Sequence, residues 1–399
     1  VLFVAAAAED YGADRMLLQS VTALAPDHRV TVVVPARGPL QARLEGVGAD
    51  VLVHRDYAVR RKYLVPTRVP GLAWRNLTSL VRLVAFHRRH PVDLVITNTE
   101  AVVVGGVVAW LIGRPHLWHV HEILVDPPVL ARTMARLVHR TSDHVIACSI
   151  AVRENLVAQR PELASRTTVV PNGIPFPDHP ESSPQAVDVV RVGCVGRIQP
   201  RKGQGQLADA WVRVSARLRP GHPKVELHFF GDTLEGQEHL MGDLRTRLER
   251  GGCADDVHFH GFVGDPDAVY PGLDIVVMPS VEPEAFPLVC IEAQAYGLPV
   301  IGPDRGGPAE IVVDGETGLL VDPTDADALA TAIVRLAGDA DERVRFGAAG
   351  RRRAEVSFSL GRYQDEVRRL VSASLAGSSS PAPSSFGARR SITAPDTVP

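Results

Sequence analysis

Short runs of Val, Ile, Leu and Ala recur along this chain, separated by longer stretches whose apolar residues fall three or four positions apart. Short apolar runs without polar alternation suit strands buried on both faces of a parallel sheet, and the longer periodic stretches suit amphipathic helices. In the first half the pattern predicts strands over 1–7, 29–35, 50–54, 93–98, 116–121, 144–149 and 167–171. Helices are predicted in most of the gaps, among them 13–25, 75–90, 129–141 and 150–159. Pro171, Asn172, Gly173, Pro175, Pro177, Pro180 and Pro184 then break the pattern, a composition that suits an interdomain linker. The alternation resumes with strands predicted over 190–196, 225–231, 257–261, 274–279, 299–302 and 318–321. The helices of this half are predicted over 203–218, 235–250, 287–296, 325–337, 340–356 and 360–375. Such alternation implies open, doubly wound parallel sheets, which bind ligands at the carboxyl ends of their strands.

The expected architecture is α/β, with two Rossmann-like domains whose parallel sheets face each other across a cleft. Residues 1–173 form the first domain, 174–188 the linker and 189–357 the second domain. A C-terminal helix over 358–376 has room to cross back to the first domain. From Gly377 onward Ser, Pro, Ala and Arg dominate, so 377–399 is expected to be a disordered tail.

A length of 399 residues fits two domains better than one, and 45% hydrophobic with 22% charged residues excludes a disordered or fibrous chain. The net charge of −3 provides no global field toward nucleic acid, which is not expected as a partner. The four cysteines, Cys148, Cys194, Cys253 and Cys290, are too scattered for a disulfide framework or a cysteine zinc site. No signal-peptide pattern opens the chain. The longest apolar run, 101–113, falls short of the roughly 20 residues a bilayer needs. A cytoplasmic setting is expected, with any membrane contact peripheral and at the inner face. Residues 57–75 interleave Arg60, Arg61, Lys62, Arg68 and Arg75 with Tyr57, Tyr63 and Trp74. This patch suits either an anionic membrane surface or a solvated loop on the acceptor side.

The richest chemistry lies in 274–323. Pro287 is expected at the first position of a helix, leaving the amides of Leu288, Val289 and Cys290 without partners. With the helix dipole they make an anion site suited to a diphosphate. Glu284 stands just before this end, and Glu292 is five residues inside it, roughly 7.5 Å along the axis. Two acids beside an anion make sense if each accepts hydrogen bonds from hydroxyl groups on either side of it. Upstream, Gly196 lets backbone approach a ligand, and Arg197 and Lys202 can clamp a diphosphate and stabilise its charge as it leaves. A solvated basic turn would carry the same residues. Lysine occurs only at 62, 202 and 224, which makes Lys202 suggestive.

These segments together resemble the family 4 glycosyltransferases of the GT-B fold. The matching pieces are Val195-Gly196-Arg197 with Lys202-Gly203, the Glu284-x7-Glu292 pair and Gly297-x-Pro299-Val300. Gly306-Gly307-x-x-Glu310, Gly315-x-x-Gly318-Leu319-Leu320-Val321 and Pro171-Asn172-Gly173-Ile174 continue the match. The resemblance covers most of 1–375, is strongest over 190–323 and is generic before 115. It implies a retaining transfer of a hexose from a nucleoside diphosphate sugar, without a metal or other cofactor. By the same resemblance, Arg197 and Lys202 hold the diphosphate, Glu292 the ribose and Glu284 the hydroxyls of the donor hexose. The backbone of Phe286, Leu288 and Val289 meets sugar and phosphates. Pro287 replaces the glycine usual in the family, and its missing N–H puts the hexose contact in question. His121, at the end of the Trp118-His119-Val120-His121-Glu122 segment, resembles the active-site histidine beside the donor sugar.

Four weaker signals accompany these. Gly12 is the surviving glycine of the loop that faces the donor phosphate in related enzymes; Asp14 suits a helix cap and Arg15 an anionic acceptor. His258-Phe259-His260-Gly261-Phe262 resembles the segment that meets the nucleobase, with Phe262 as the contact. His258 and His260 share a strand face, but no third ligand is evident, so no metal is expected. Asp325-Ala326-Asp327 reads as a helix cap rather than a metal motif. The acceptor is left open, with a cell-surface polysaccharide or glycolipid precursor as the favoured class. A sugar-nucleotide epimerase of the same shape and a non-catalytic sugar-nucleotide-binding protein stand as rivals.

Overall fold

The structure is a computed structural model that describes residues 1–9, 12–54, 57–59, 67–177, 188–218 and 221–377. The readings made for residues 60–63, most of the linker and the tail beyond Gly377 lie outside the described residues.

The first half folds as β1 (Leu2–Val4), α1 (Gly12–Leu24), β2 (Thr31–Val34), α2 (Pro39–Gly46), β3 (Asp50–Val53), α3 (Val69–Arg89), β4 (Val95–Asn98), α4 (Val103–Ile112), β5 (His116–Val120), α5 (Pro128–Thr141), β6 (His144–Ala147), α6 (Ile150–Gln159) and β7 (Thr167–Val169). Its seven strands form one parallel sheet in the order β3-β2-β1-β4-β5-β6-β7. The second half folds as β8 (Val189–Val195), α7 (Gln204–Arg217), β9 (Lys224–Phe230), α8 (His239–Arg250), β10 (Val257–Phe259), β11 (Ile275–Val277), α9 (Leu288–Ala295), β12 (Val300–Pro303), α10 (Pro308–Ile311), β13 (Gly318–Val321), α11 (Ala326–Gly338), α12 (Ala340–Ser357) and α13 (Leu360–Leu375). Its parallel sheet runs β10-β9-β8-β11-β12-β13. Both sheets place their first strand inside the order, so the chain winds outward in both directions and leaves a crevice at the carboxyl ends.

Each predicted strand is present, most of them trimmed to a buried centre. The helix ranges named from the pattern do not include α2, α4 or α10. α4 lies in the 101–113 run, which has no polar face and hence no helical period. Its Gly105 brings it close to the sheet, and its Gly106 close to the end of α5. A Cβ on Gly105 would stand 2.1 Å from Thr97 Oγ1, and one on Gly106 2.4 Å from Thr141 Oγ1. Asp325 caps α11 by accepting from the amides of Asp327 and Ala328, as its position suggested. The four cysteines are buried and unpaired. No helix among the described residues is long and apolar enough to cross a membrane.

Three contacts set one sheet against the other. Where the chain first leaves the first sheet, Ile174 N donates to Phe358 O at 3.0 Å and Ile174 O accepts from Leu360 N at 2.9 Å. α13 then packs on α1: Tyr363 Oη lies 2.6 Å from Ser20 Oγ, and Arg368 Nε donates to Ala23 O at 2.9 Å. Glu310, on α10, accepts from Ile150 N at 2.8 Å and Ala151 N at 2.7 Å. It thereby caps α6 of the opposite domain, beside the intrinsic cap Ser149. The Glu310 of the Gly306-Gly307-x-x-Glu310 segment is thus an interdomain cap.

Candidate active site

The loops after β8 and β11 meet around Glu284. Its Oε1 accepts from Lys202 Nζ at 2.9 Å, Arg201 at 3.1 Å and Ser280 Oγ at 3.0 Å. Burial opposes its charge, but Lys202 and Arg201 outweigh it and hold the carboxyl below its ordinary range. Lys202, expected with Arg197 at the diphosphate, stands paired with Glu284. Arg201, adjacent in sequence and not singled out, shares that pairing. Arg197 is half-buried in the same loop, and its carbonyl accepts from Gln204 Nε2 at 3.0 Å. The loop keeps its shape because the chain behind it is bare. A Cβ on Gly306 would stand 2.8 Å from Glu284 O, and one on Gly307 2.3 Å from Ala285 O.

Pro287 is the N-cap of α9 rather than its first residue, with an extended ψ of 116°. The Cys290 amide, expected to be unsatisfied, donates to Pro287 O at 3.2 Å. The amides of Leu288 and Val289 have no backbone acceptor among the described residues, so the open amides of this helix end narrow to these two. The Phe286 ring is buried edge-on against Phe358, with centroids 5.4 Å apart. Only its backbone is left to meet a ligand.

Glu292 is buried, and both of its oxygens are engaged. Oε1 accepts from Arg15 of α1 at 2.7 Å and Oε2 from Tyr270 Oη at 2.7 Å. Arg15, which the sequence offered as able to reach an anionic acceptor, bridges the cleft to Glu292. Tyr270 escaped the sequence reading because the segment before β11 carries no motif. Burial, and then the Glu292 charge, push its hydroxyl well above the ordinary range, so it stays a donor. Gly12 opens α1 beside this helix end: a Cβ there would lie 3.8 Å from Leu288 Cδ1.

On the first domain, His121 follows β5, and its Nε2–H donates to Asn98 Oδ1 at 3.0 Å. Asn98 Nδ2 in turn donates to Ala13 O at 3.3 Å. Asn98, also unread from sequence, thus ties the histidine to the start of α1. Burial lowers the His121 pKa to about 3, so the ring is neutral. The His119 ring lies 4.0 Å from it by centroids, is pushed well below its ordinary range by burial and then by His121, and has no hydrogen-bond partner at Nε2 among the described residues. Glu122 Oε2 accepts from the amides of Glu100 and His121, each at 3.2 Å. Burial, and then Glu122, raise the Glu100 carboxyl to about 8. Between Asn98 and Glu100, Thr99 holds φ at 81°, an outlier for a β-branched residue and a form of strain that clusters at functional sites.

A separate cavity of about 760 Å³ opens at the carboxyl ends of the first three strands. Glu9, Arg37, His54, Trp74, Arg75 and Arg82 line it. In the second domain Phe262 is exposed beyond β10, and its amide donates to Asp232 Oδ2 at 3.0 Å.

Two facing parallel-sheet domains with this cleft define the GT-B class of glycosyltransferase. The family model Glycosyltransferase Family 4 matches residues 11–176, and Glycosyl transferases group 1 matches residues 190–339. The chain belongs to the glycosyltransferases of this family 4 type. It is 28% identical to a lipopolysaccharide core biosynthesis mannosyltransferase of Rhizobium leguminosarum, over 86% of this chain and 96% of that one. It is 29% identical to a GDP-mannose-dependent alpha-(1-6)-phosphatidylinositol monomannoside mannosyltransferase of Mycolicibacterium smegmatis, over 79% of this chain and 90% of that one. A shorter match, 36% identical over 44% of this chain, spans 18% of an exopolysaccharide phosphotransferase of Streptomyces coelicolor. Among solved structures, Anabaena HepE in complex with UDP-glucose superposes with a TM-score of 0.77 at 25% identity, covering 93% of this chain and 99% of that one.

The Glu100 carboxyl sets a pH dependence of stability. Its proton is held to about pH 8 in the folded chain but only to about 4.5 when unfolded. Between those values the unfolded state has lost a proton that the folded state keeps, so rising pH favours unfolding. Glu100→Gln has no proton to lose. Its Tm is expected to match the parent's near pH 4.5 and to exceed it by several degrees at pH 8.5. Parallel Tm curves across that range, read by circular dichroism, would show that Glu100 is ionised in the folded protein.

Proposed function

We propose that this chain transfers a hexose, with retention at the anomeric carbon, from a nucleoside diphosphate sugar to a precursor of a cell-surface polysaccharide or glycolipid. The observation that carries this reading is the position of Glu284 and Glu292 on either side of the two open amides of α9. His121 joins that end through Asn98 and the start of α1. The diphosphate would sit at the amides of Leu288 and Val289 with Arg197, Lys202 and Arg201 around it. Donor hydroxyls would take over the carboxylate of Glu284, and ribose hydroxyls that of Glu292, in exchange for their present partners. The acceptor hydroxyl would attack on the face from which the diphosphate leaves, and a phosphate oxygen would take its proton. His121, neutral and oriented by Asn98, would support the positive charge that builds on the sugar.

The arginine-lined cavity of the first domain supports an anionic acceptor, and a phosphatidylinositol-based acceptor stands in the name of one relative. α3 supports a peripheral contact with an anionic membrane. Trp74, Leu77 and Val81 are exposed along it at helical spacing, with Arg82, Arg88 and Arg89 exposed on the same helix. UDP- and GDP-sugars are the first donors to screen by thermal shift, because a ligand of the folded state raises Tm.

Losing Glu292 removes binding shared by ground and transition states. Glu292→Gln is therefore expected to raise the donor KM about tenfold or more with kcat little changed. Glu284 lies beside the sugar that gains charge, so Glu284→Gln should lower kcat as well as kcat/KM, as should His121→Ala. Full activity in both glutamate variants would end this reading of α9. Transfer should persist in EDTA, since side-chain cations and a helix end neutralise the leaving group; loss in EDTA with rescue by Mn²⁺ or Mg²⁺ would refute that. Replacing Trp74 with Ser and Arg82 with Gln together should weaken binding to phosphatidylserine vesicles about tenfold, with roughly 1 kcal/mol from the arginine. Equal binding by variant and parent, or none by the parent, would remove the membrane contact.

A further inference from the structure

β9 and β10 run in parallel at the edge of the second sheet, with His258 in register with His228. Glu226 and His228 alternate with Leu227 and Phe229 along β9, as His258 and His260 alternate with Phe259 along β10. The four polar side chains therefore share the face opposite Phe229 and Phe259, whose rings stack at 5.1 Å. Glu226 Oε2 lies 3.5 Å from His228 Nε2 and 3.8 Å from His258 Nε2, and one ligand atom from each of the three residues lies within 4.8 Å of the other two. Both ring nitrogens are shielded from solvent and make no hydrogen bond among the described residues. Two imidazole nitrogens and a carboxylate oxygen thus converge on one small space.

We propose that Glu226, His228 and His258 bind a divalent transition metal, with zinc the best match, leaving a fourth position for water. Ligand atoms 2.0–2.1 Å from a tetrahedral zinc stand about 3.3 Å apart, so small side-chain rotations from the present separations complete the site. His260 Nε2 lies 2.9 Å from His228 Nδ1, the kind of outer partner that orients a ligating imidazole. Lys224 Nζ engages the other oxygen of Glu226 at 3.0 Å and turns Oε2 toward the rings. The sequence offered only two histidines here. Glu226 and His228 lie some thirty residues away, and only the strand register brings them alongside.

The site shares no residue with the carboxylates of the cleft, so its role is to clip the edge strand to its neighbour. Beyond it the two strands are already joined: Gly231 N donates to Gly261 O at 2.7 Å, and the Phe262 amide donates to Asp232. A metal here would stiffen both turns.

The test is zinc binding by the intact chain after chelation and dialysis, measured by equilibrium dialysis with elemental analysis and by thermal shift. One tightly held Zn²⁺ per chain is expected, with a rise in Tm. His258→Ala and Glu226→Gln should each weaken it at least tenfold, and His260→Ala should weaken it by about ten- to a hundredfold. Co²⁺ in place of zinc should give the visible absorption of a tetrahedral site, absent from His258→Ala. His258 is partly exposed, so this variant is expected to fold; a metal-free Tm equal to the parent's checks it, and His258→Gln serves as a second variant. No binding by the parent, or binding unchanged in folded His258→Ala and His258→Gln, overturns the proposal.

Discussion

A parallel sheet buried on both faces exposes chemistry only at its carboxyl edge, and here two such edges must be held toward each other by a chain that crosses between them twice. The pairing of Ile174 with Phe358 and Leu360 fixes where the crossings meet. α13 on α1 and the Glu310 cap on α6 then set the angle of approach. A helix N-terminus lacks partners for its first amides, so Glu310 satisfies part of α6 with a side chain from the other domain. These contacts, together with the Arg15–Glu292 bridge from α1, bring the cleft residues of the two domains close to each other.

The cleft itself is a balance of charges waiting to be exchanged. Glu284 is held by Lys202 and Arg201, and Glu292 by Arg15 and Tyr270. A buried carboxylate without such partners would be costly. Each partner is a donor of the kind a hydroxyl can replace, and each released cation is one a diphosphate can use. The side chains that stabilise the cleft carry the donors and acceptors that the proposed nucleoside diphosphate sugar would use.

Across from them the chemistry is dominated by burial. His119 and His121 stay neutral, and Glu100 keeps its proton to about pH 8 beside Glu122. The left-handed Thr99 connects Asn98, which orients His121, to Glu100, whose amide donates to Glu122. Backbone strain at one residue thus lies between the side chain that holds His121 and the amide that holds Glu122.

Alternation of apolar runs and helical periods was enough to place both sheets, because most positions of strands buried on both faces are apolar and most helices on their surfaces keep a polar face. Glu284, Glu292, Lys202 and His121 were legible because they sit at strand ends and a helix start, where backbone geometry and motif spacing coincide. α4 was not legible, since a helix apolar all round has no period to read. Arg15 with Glu292, Tyr270 with Glu292, Asn98 with His121, and Glu226 with His228 and His258 all depend on residues distant in sequence, in most pairs on separate strands or domains. Their partnerships follow from strand register and domain approach, which are set by the packing of the whole chain and carry no local signature.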